Sequence, residues 1–232
     1  MMVKKKGKRK TVKKVAKPTV RDKKYTKQKK MAKALVNLRR FYGDKLKGKG
    51  LDRQRVLAGV IAMMDKYYFR IGNIANKNYG LTTLKKSHFK SVTGKSVRIS
   101  YIGKKNMRQV KTITYAPLVK LLRELYKSAT GQGYVFRYKL GNKWYRISST
   151  GVNTFLRKYG ITAKDFRTYH ATKMMRACVT GNTKQKIGVC VAGIAGKLGN
   201  TPGVCKGSYI DPVVYQQYKR KLERLKKKSK KR

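Results

Sequence analysis

The sequence predicts an α+β fold, mainly α-helical, with a small β-sheet or hairpin. Three observations carry this. Apolar residues recur at helical spacing in 31–46, 56–64 and 117–126. Residues 89–114 instead alternate with a period of two, as half-buried strands do. A hydrophobic share of 40% in 232 residues is enough for a packed core, although lysine and arginine crowd both ends.

Residues 1–30 are low-complexity and basic, contain Pro18, and read as a disordered tail. A single domain is expected over 31–218, with a second basic tail over 219–232. Ala32, Leu35, Leu38 and Phe41 fall three residues apart and form one helical apolar face, which Gly48 and Gly50 end. Asp52 is placed to cap the next helix. Its Val56, Leu57, Val60, Ile61, Met63 and Met64 are too many for one stripe and mark a buried helix. That helix delivers Arg70 just beyond its end, where chemistry alone would assign the arginine to helix-end carbonyls.

Val97, Ile99 and Tyr101 share a strand face, residues 103–106 read as a turn, and Val110, Thr112 and Ile113 return. Lys104 then sits at a hairpin tip, with Lys105 beside it as a competitor for any role there. Leu118, Leu121, Leu122 and Leu125 mark another helix. Residues 134–138 and 143–147 suggest a short hairpin across Gly141 and Asn142, with Trp144 and its tyrosines expected in the core rather than stacked on bases. Ser149 or Thr150 caps a helix holding Val152, Phe155 and Leu156. Thr162 caps the one bearing Lys164 and Arg167, whose spacing of three puts both on one face. His170 lies one turn further and reads first as a structural hydrogen-bonding group, although it could face the same site. Gly188, Gly193 and Gly196 suggest a helix packed closely on a neighbour.

The charge bounds the function. The chain has 62 Lys and Arg against 8 Asp and Glu, a net +54. Residues 1–30 hold 15 basic residues and only Asp22, and 219–232 hold 10 and only Glu223, which leaves 37 basic against 6 acidic between them. Such a surplus repels itself unless a polyanion screens it, so nucleic acid is the expected partner. Cys178, Cys190 and Cys205 are odd in number and lack CxxC spacing, which argues against a disulfide framework or zinc site and for a reducing compartment. No apolar run nears the ~20 residues of a membrane span, and the lysine-rich start has no apolar segment behind it. An intracellular, DNA-associated protein with no membrane partner is expected.

One stretch has the character of a site. Leu198-Gly199-Asn200-Thr201-Pro202-Gly203-Val204-Cys205-Lys206-Gly207-Ser208-Tyr209-Ile210-Asp211-Pro212 sets a tyrosine among small, turn-forming residues, so that a large partner can approach Tyr209 and Asn200 can point the same way. A tyrosine hydroxyl, with a pKa of about 10, needs positive charge around it to react.

That run resembles the nucleophile segment of type IB DNA topoisomerases, in the poxvirus-like and bacterial branch. Three further segments agree in the family's order. They are Phe69-Arg70-Ile71-Gly72-Asn73 followed by Tyr79-Gly80-Leu81-Thr82-Thr83-Leu84, then Tyr101-Ile102-Gly103-Lys104, then Thr162-Ala163-Lys164-Asp165-Phe166-Arg167-Thr168-Tyr169. The resemblance implies the catalytic fold shared by these enzymes and the tyrosine recombinases, acting on double-stranded DNA as a monomer. It implies Tyr209 as nucleophile, Arg70 and Arg167 as clamps on the non-bridging phosphate oxygens, Lys104 as general acid and Asn200 as a donor to a phosphate oxygen. Lys164 and His170 would be supporting residues. Neither ATP nor a divalent metal would be required.

Poxvirus members and recombinases have His at the Asn200 position, and Asn cannot serve there as acid or base; the bacterial-like pattern has Asn. The β-rich N-terminal domain of the poxvirus-like enzymes has no counterpart before Leu51, where only a basic tail and one helix are expected. Two other functions remain at this stage: a tyrosine recombinase, and a non-catalytic basic DNA-packaging protein.

Overall fold

The computed structural model describes residues 20–74, 79–131, 133–181 and 186–229. Most of the 1–30 tail therefore lies outside the described residues. Its last part does not match the expectation, because α1 runs over Val20–Lys45. The buried face of α1 is Met31, Ala34, Leu35, Leu38, Tyr42 and Leu46, and Ala32 is exposed. A spacing of strictly three drifts off a 3.6-residue helix, so the true stripe alternates three and four.

Asp52 caps α2 (Arg53–Tyr67) as expected, accepting from the backbone of Gln54 at 2.8 Å and Arg55 at 3.1 Å. α2 is buried on every side from Arg55 to Asp65. Arg55 is compensated by an ion pair with Glu124 of α3 (Ala116–Ser128). Strands β1 (Phe89–Val92), β2 (Val97–Ile102) and β3 (Arg108–Ile113) form one antiparallel sheet in that order. Val97, Ile99 and Tyr101 face the core. On β3 the expected residues divide between the faces: Ile113 is buried together with Gln109, whereas Thr112 is exposed and Val110 is 44% exposed.

A second sheet pairs β4 (Arg137–Leu140) with β5 (Lys143–Arg146). Trp144 and Tyr145 there are 41% and 42% exposed, so they are not core residues. Ser148, one residue before the expected cap, accepts from Gly151 at 3.0 Å and starts α4 (Ser149–Arg157).

The last four helices are α5 (Ala163–Thr180), α6 (Ile187–Leu198), α7 (Pro202–Ser208) and α8 (Pro212–Ser229), so much of the 219–232 stretch is helical. Thr162 opens α5 with a capping box, its backbone N–H donating to Asp165 Oδ2 at 2.7 Å. Among the described residues no helix is long and apolar enough to cross a membrane.

Two hydrophobic clusters result. One joins α1 to α4, the three-stranded sheet and the start of α5 through Phe166; the other joins the rest of α5, from Ala171 on, to α6, α7 and α8. α5 runs through both, and Arg167 lies at the seam between them. Contrary to the cysteine count, Cys178 of α5 and Cys190 of α6 form a disulfide, with Cα atoms 6.7 Å apart. An odd number of cysteines forbids complete pairing, not a single bridge between two helices adjacent in sequence. Cys205 is left free and buried, its thiol pushed up to about 11 by burial. Gly188, Gly193 and Gly196 face open space; the close approach in this region is at Gly199.

Asp65 joins three helices. It accepts from Arg39 at 2.9 Å and Tyr42 at 2.9 Å on α1, and lies 2.8 Å from His170 Nε2 on α5. Burial alone would raise its carboxyl, but the hydrogen bonds from His170 and Arg39 outweigh burial and hold it well below the usual carboxylate range. A depressed folded value contributes stability above the unfolded pKa of about 3.9, and this is lost as pH falls toward the folded value. Thermal melts of the parent are thus expected to weaken on acidification below about pH 4. Asp65→Asn should lose on the order of 2 kcal/mol at neutral pH, less than for a wholly buried pair because Arg39 is half in solvent. It should also flatten the acid slope. Equal slopes for parent and variant would show that Asp65 carries none of it.

Candidate active site

The end of α2 sets the first arginine. Tyr68 caps α2 in the left-handed conformation at φ 61°, which turns the chain sharply into Phe69 and Arg70. The next residues are clamped to the motif that follows. Leu81 donates to the Arg70 carbonyl at 3.0 Å and Thr82 to the Ile71 carbonyl at 2.8 Å. Gly72, at φ +82°, and Gly80 bring their backbones so close that a Cβ on Gly80 would fall 2.4 Å from the Gly72 nitrogen.

The tyrosine comes from the corner between α7 and α8. Thr201 caps α7, and Asp211 starts α8 by accepting from Val213 at 2.8 Å. Thr172 of α5 fixes the corner, donating to the Tyr209 carbonyl and accepting from the Asp211 N–H, both at 3.2 Å. Tyr209 is buried, with its hydroxyl 2.8 Å from Arg70 Nη1. The other Arg70 terminal nitrogen donates to Asn200 Oδ1. That bond assigns the amide orientation: the oxygen faces Arg70, and the Asn200 Nδ2 group is buried without a hydrogen-bond partner.

Arg167 lies across the ring. Its guanidinium carbon is 5.0 Å from the Tyr209 centroid, against 5.7 Å for Arg70. Its two terminal nitrogens donate to the Tyr68 carbonyl and, at 2.8 Å, to the Leu198 carbonyl, while its Nε is buried and unpartnered. Burial and then the Arg70 charge both act against the Arg167 cation. Two guanidiniums and two orphaned donors in one pocket are stabilised by an anion. Burial would push the Tyr209 phenol up, but Arg167 and Arg70 outweigh burial and hold it below the ordinary tyrosine value.

These groups line a cavity of about 410 Å³ whose walls also carry Lys104 and Lys164. Lys104 sits in a 3-10 turn at the tip of the β2–β3 hairpin, closed by Gly103 donating to the Met107 carbonyl at 2.8 Å. Both lysines are exposed. The side chain of Lys105 lies outside the described residues. His170 does not line this cavity, because it is committed to Asp65. The described lining residues include no carboxylate and no imidazole.

Sequence reasoning missed the residues that hold the Asn200 segment. Three successive carbonyls at the end of α6 are gripped from outside. Lys111 donates to that of Lys197, Arg167 to that of Leu198, and Gln109 to that of Gly199 at 3.0 Å. Gly199 is left-handed, and a Cβ there would fall 1.9 Å from Gln109 Oε1. This contact explains the polar inner face of β3: it meets helix-end carbonyls rather than apolar side chains. Burial and then Arg167 lower the Lys111 ammonium to about 8. The available signal was Gln109 and Lys111 alternating in phase with Ile113.

Residues 11–232 match the sequence model of the family described as eukaryotic DNA topoisomerase I, catalytic core. Among curated proteins, the chain is 26% identical over 167 residues to DNA topoisomerase 1 alpha of Arabidopsis thaliana, covering 69% of this chain and 17% of that protein. It is 26% identical over 194 residues to DNA topoisomerase 1B of Acanthamoeba polyphaga mimivirus, covering 74% and 57%. It is 22% identical over 199 residues to DNA topoisomerase 1B of Vaccinia virus (strain Copenhagen), covering 78% and 59%. The chain thus spans less than two thirds of the length of each.

Proposed function

The chain belongs to the type IB DNA topoisomerase family, and from that premise we propose that it relaxes supercoiled DNA by cutting and resealing one strand without ATP or a divalent metal. The observation that carries this reading is the convergence of Arg70 and Arg167 on Tyr209, with Asn200 bonded to Arg70 and orphaned donors on Arg167 and Asn200, all in residues that line one cavity.

Tyr209 Oη attacks a backbone phosphorus. The new Tyr–O–P bond forms as the P–O5′ bond breaks, leaving a 3′-phosphotyrosyl link and a free 5′-hydroxyl. Both arginines lower the cost of the phenolate, and with no carboxylate or imidazole among the described lining residues to take it, the proton leaves to solvent. In the pentacoordinate transition state Arg70, Arg167 Nε and Asn200 Nδ2 donate to the non-bridging oxygens, where negative charge is greatest. Lys104 gives its proton to the leaving 5′ oxygen. Lys164, on the same cavity wall, adds positive field. The phosphotyrosine conserves the energy of the broken bond, so the reverse attack by the 5′-hydroxyl reseals the strand.

A single turn of assay separates this reading from its rivals. Supercoiled plasmid incubated with the chain in chelator and without nucleotide should relax through a ladder of topoisomers. Strand exchange between two plasmids would identify a recombinase, and retention without relaxation a packaging protein. The reading also places the protein with DNA inside a cell or virion, acting as a monomer on the duplex.

A further inference from the structure

The β4–β5 hairpin has a composition that neither sheet packing nor the cleavage site uses. Between 137 and 146 it carries Arg137, Lys139, Lys143 and Arg146 and no carboxylate. The register pairs Lys139 with Trp144 and Arg137 with Arg146, which puts all four on one face of the two-stranded sheet. On that face the Arg137 guanidinium lies 4.6 Å from the Trp144 ring, and that of Arg146 lies 4.9 Å from the Tyr134 ring. Trp144 nevertheless stays 41% exposed. On the opposite face Tyr138 and Tyr145 stack at 5.7 Å, with Tyr145 42% and Leu140 66% exposed.

The hairpin is attached to the body through the backbone of Lys139, whose N–H donates to the Leu51 carbonyl at 2.8 Å and leaves its ammonium free of this bond. Leu51 precedes α2, whereas Arg70 follows it. Fifteen residues of helix separate the two by about 22 Å. The hairpin is therefore outside the cleavage cavity.

We propose that this hairpin is a binding site for unpaired nucleic-acid strand, with Trp144 as the stacking platform and Arg137, Lys139 and Arg146 as phosphate contacts. An intact duplex hides its base faces, so it satisfies the cations and leaves the indole in water. A strand with splayed bases satisfies both, which is the logic of sheet faces that bind single strands. An acidic protein would meet the charge but has no general reason to meet an indole already ringed by cations. The proposal extends the topoisomerase reading: underwound DNA opens locally, and a platform for unpaired bases would bias the protein toward torsionally strained substrate.

Trp144 is the single tryptophan of the chain, so its emission reports this site alone. An oligothymidylate of about ten nucleotides, within the range that a stacking groove accommodates, is titrated into the full chain. A blunt duplex at equal phosphate concentration is the comparison. Saturable quenching by the single strand, with little by the duplex, is expected. In anisotropy measurements with labelled oligothymidylate, Trp144→Leu should weaken binding roughly 5- to 150-fold, the range for one lost base stack. Trp144→Phe should restore most of it, and duplex affinity should be unchanged in both. Absent quenching, equal quenching by duplex, or a change in self-association on Trp144→Leu would each overturn the proposal. The last would mark the hairpin as an interface between copies. If instead the topoisomerase reading is wrong, the parent chain forms no covalent adduct, yet the quenching stands.

Discussion

Tyr209→Phe is expected to abolish the covalent protein–DNA adduct and to leave duplex affinity unchanged. The substitution removes one oxygen and keeps the ring over which Arg167 and Arg70 lie at 5.0 and 5.7 Å. Tyr209 is buried as a member of the second hydrophobic cluster, so phenylalanine is expected to preserve the corner between α7 and α8. Duplex affinity is expected to rest on a surface built from many of the 62 lysines and arginines and to be insensitive to one hydroxyl. No other described group in the cavity offers an activated nucleophile: Ser208 is the only other hydroxyl beside Thr201, and neither is hydrogen-bonded to an arginine. Denaturing gels of protein incubated with labelled strand read the outcome. Persistent adduct would move the nucleophile elsewhere, with Tyr215 and Tyr218 as the next candidates in sequence.

The second large effect is on Lys104. A 5′ alkoxide is a very poor leaving group, and loss of a general acid typically costs about 10² to 10⁴ in rate. Lys104→Ala should show a loss of that size on an ordinary strand. Replacing the bridging 5′ oxygen by sulfur makes the leaving group far more acidic, so expulsion no longer needs a proton. On that substrate Lys104→Ala should cleave nearly as fast as the parent. Arg70→Ala and Arg167→Ala should stay slow on both substrates, because the charge they neutralise sits on the non-bridging oxygens in either case. The exposure of Lys104 at a hairpin tip suits this role, since the lysine can follow the strand that docks into the cavity. If Lys104→Ala is equally impaired with sulfur, the lysine is a phosphate clamp and Lys164, on the same wall, becomes the first candidate acid.

The side chains proposed to do the chemistry are picked out by the family resemblance, since chemistry alone would assign Arg70 to helix-end carbonyls. Arg70 follows the end of α2, Lys104 is at a hairpin tip, Arg167 is in the second turn of α5, and Asn200 and Tyr209 flank α7; the structure brings all five to the wall of one cavity. What was not legible is how they are held. Gln109, Lys111 and Thr172 act on backbone carbonyls and N–H groups far away in the chain; the alternation of Gln109 and Lys111 with Ile113 marks them as inward-facing but does not name that partner. The left-handed Tyr68 is equally silent in sequence, because the turn it makes depends on its carbonyl being claimed by Arg167.

Errors in the fold have similar causes. Trp144 is expected in the core rather than stacked on bases, but a two-stranded sheet carried at the N-terminal end of α2 leaves it 41% exposed. The three glycines of α6 are expected to pack on a neighbour, yet they face open space, and the close approach in this region is at Gly199, just past the helix. His170 lies one turn from Arg167 on the same stripe of α5, but Asp65 engages it first.

The measurement that tests the central claim most directly is the polarity and position of the trapped adduct. A duplex is labelled at the 5′ end of the cut strand in one sample and at the 3′ end in another. The reaction is stopped in denaturant, and the protein digested to peptides. The account predicts that only the 5′ label stays with protein, because the tyrosine holds the 3′-phosphate of the upstream fragment, and that the labelled peptide contains Tyr209. Retention of the 3′ label, or a labelled peptide lacking Tyr209, would contradict it.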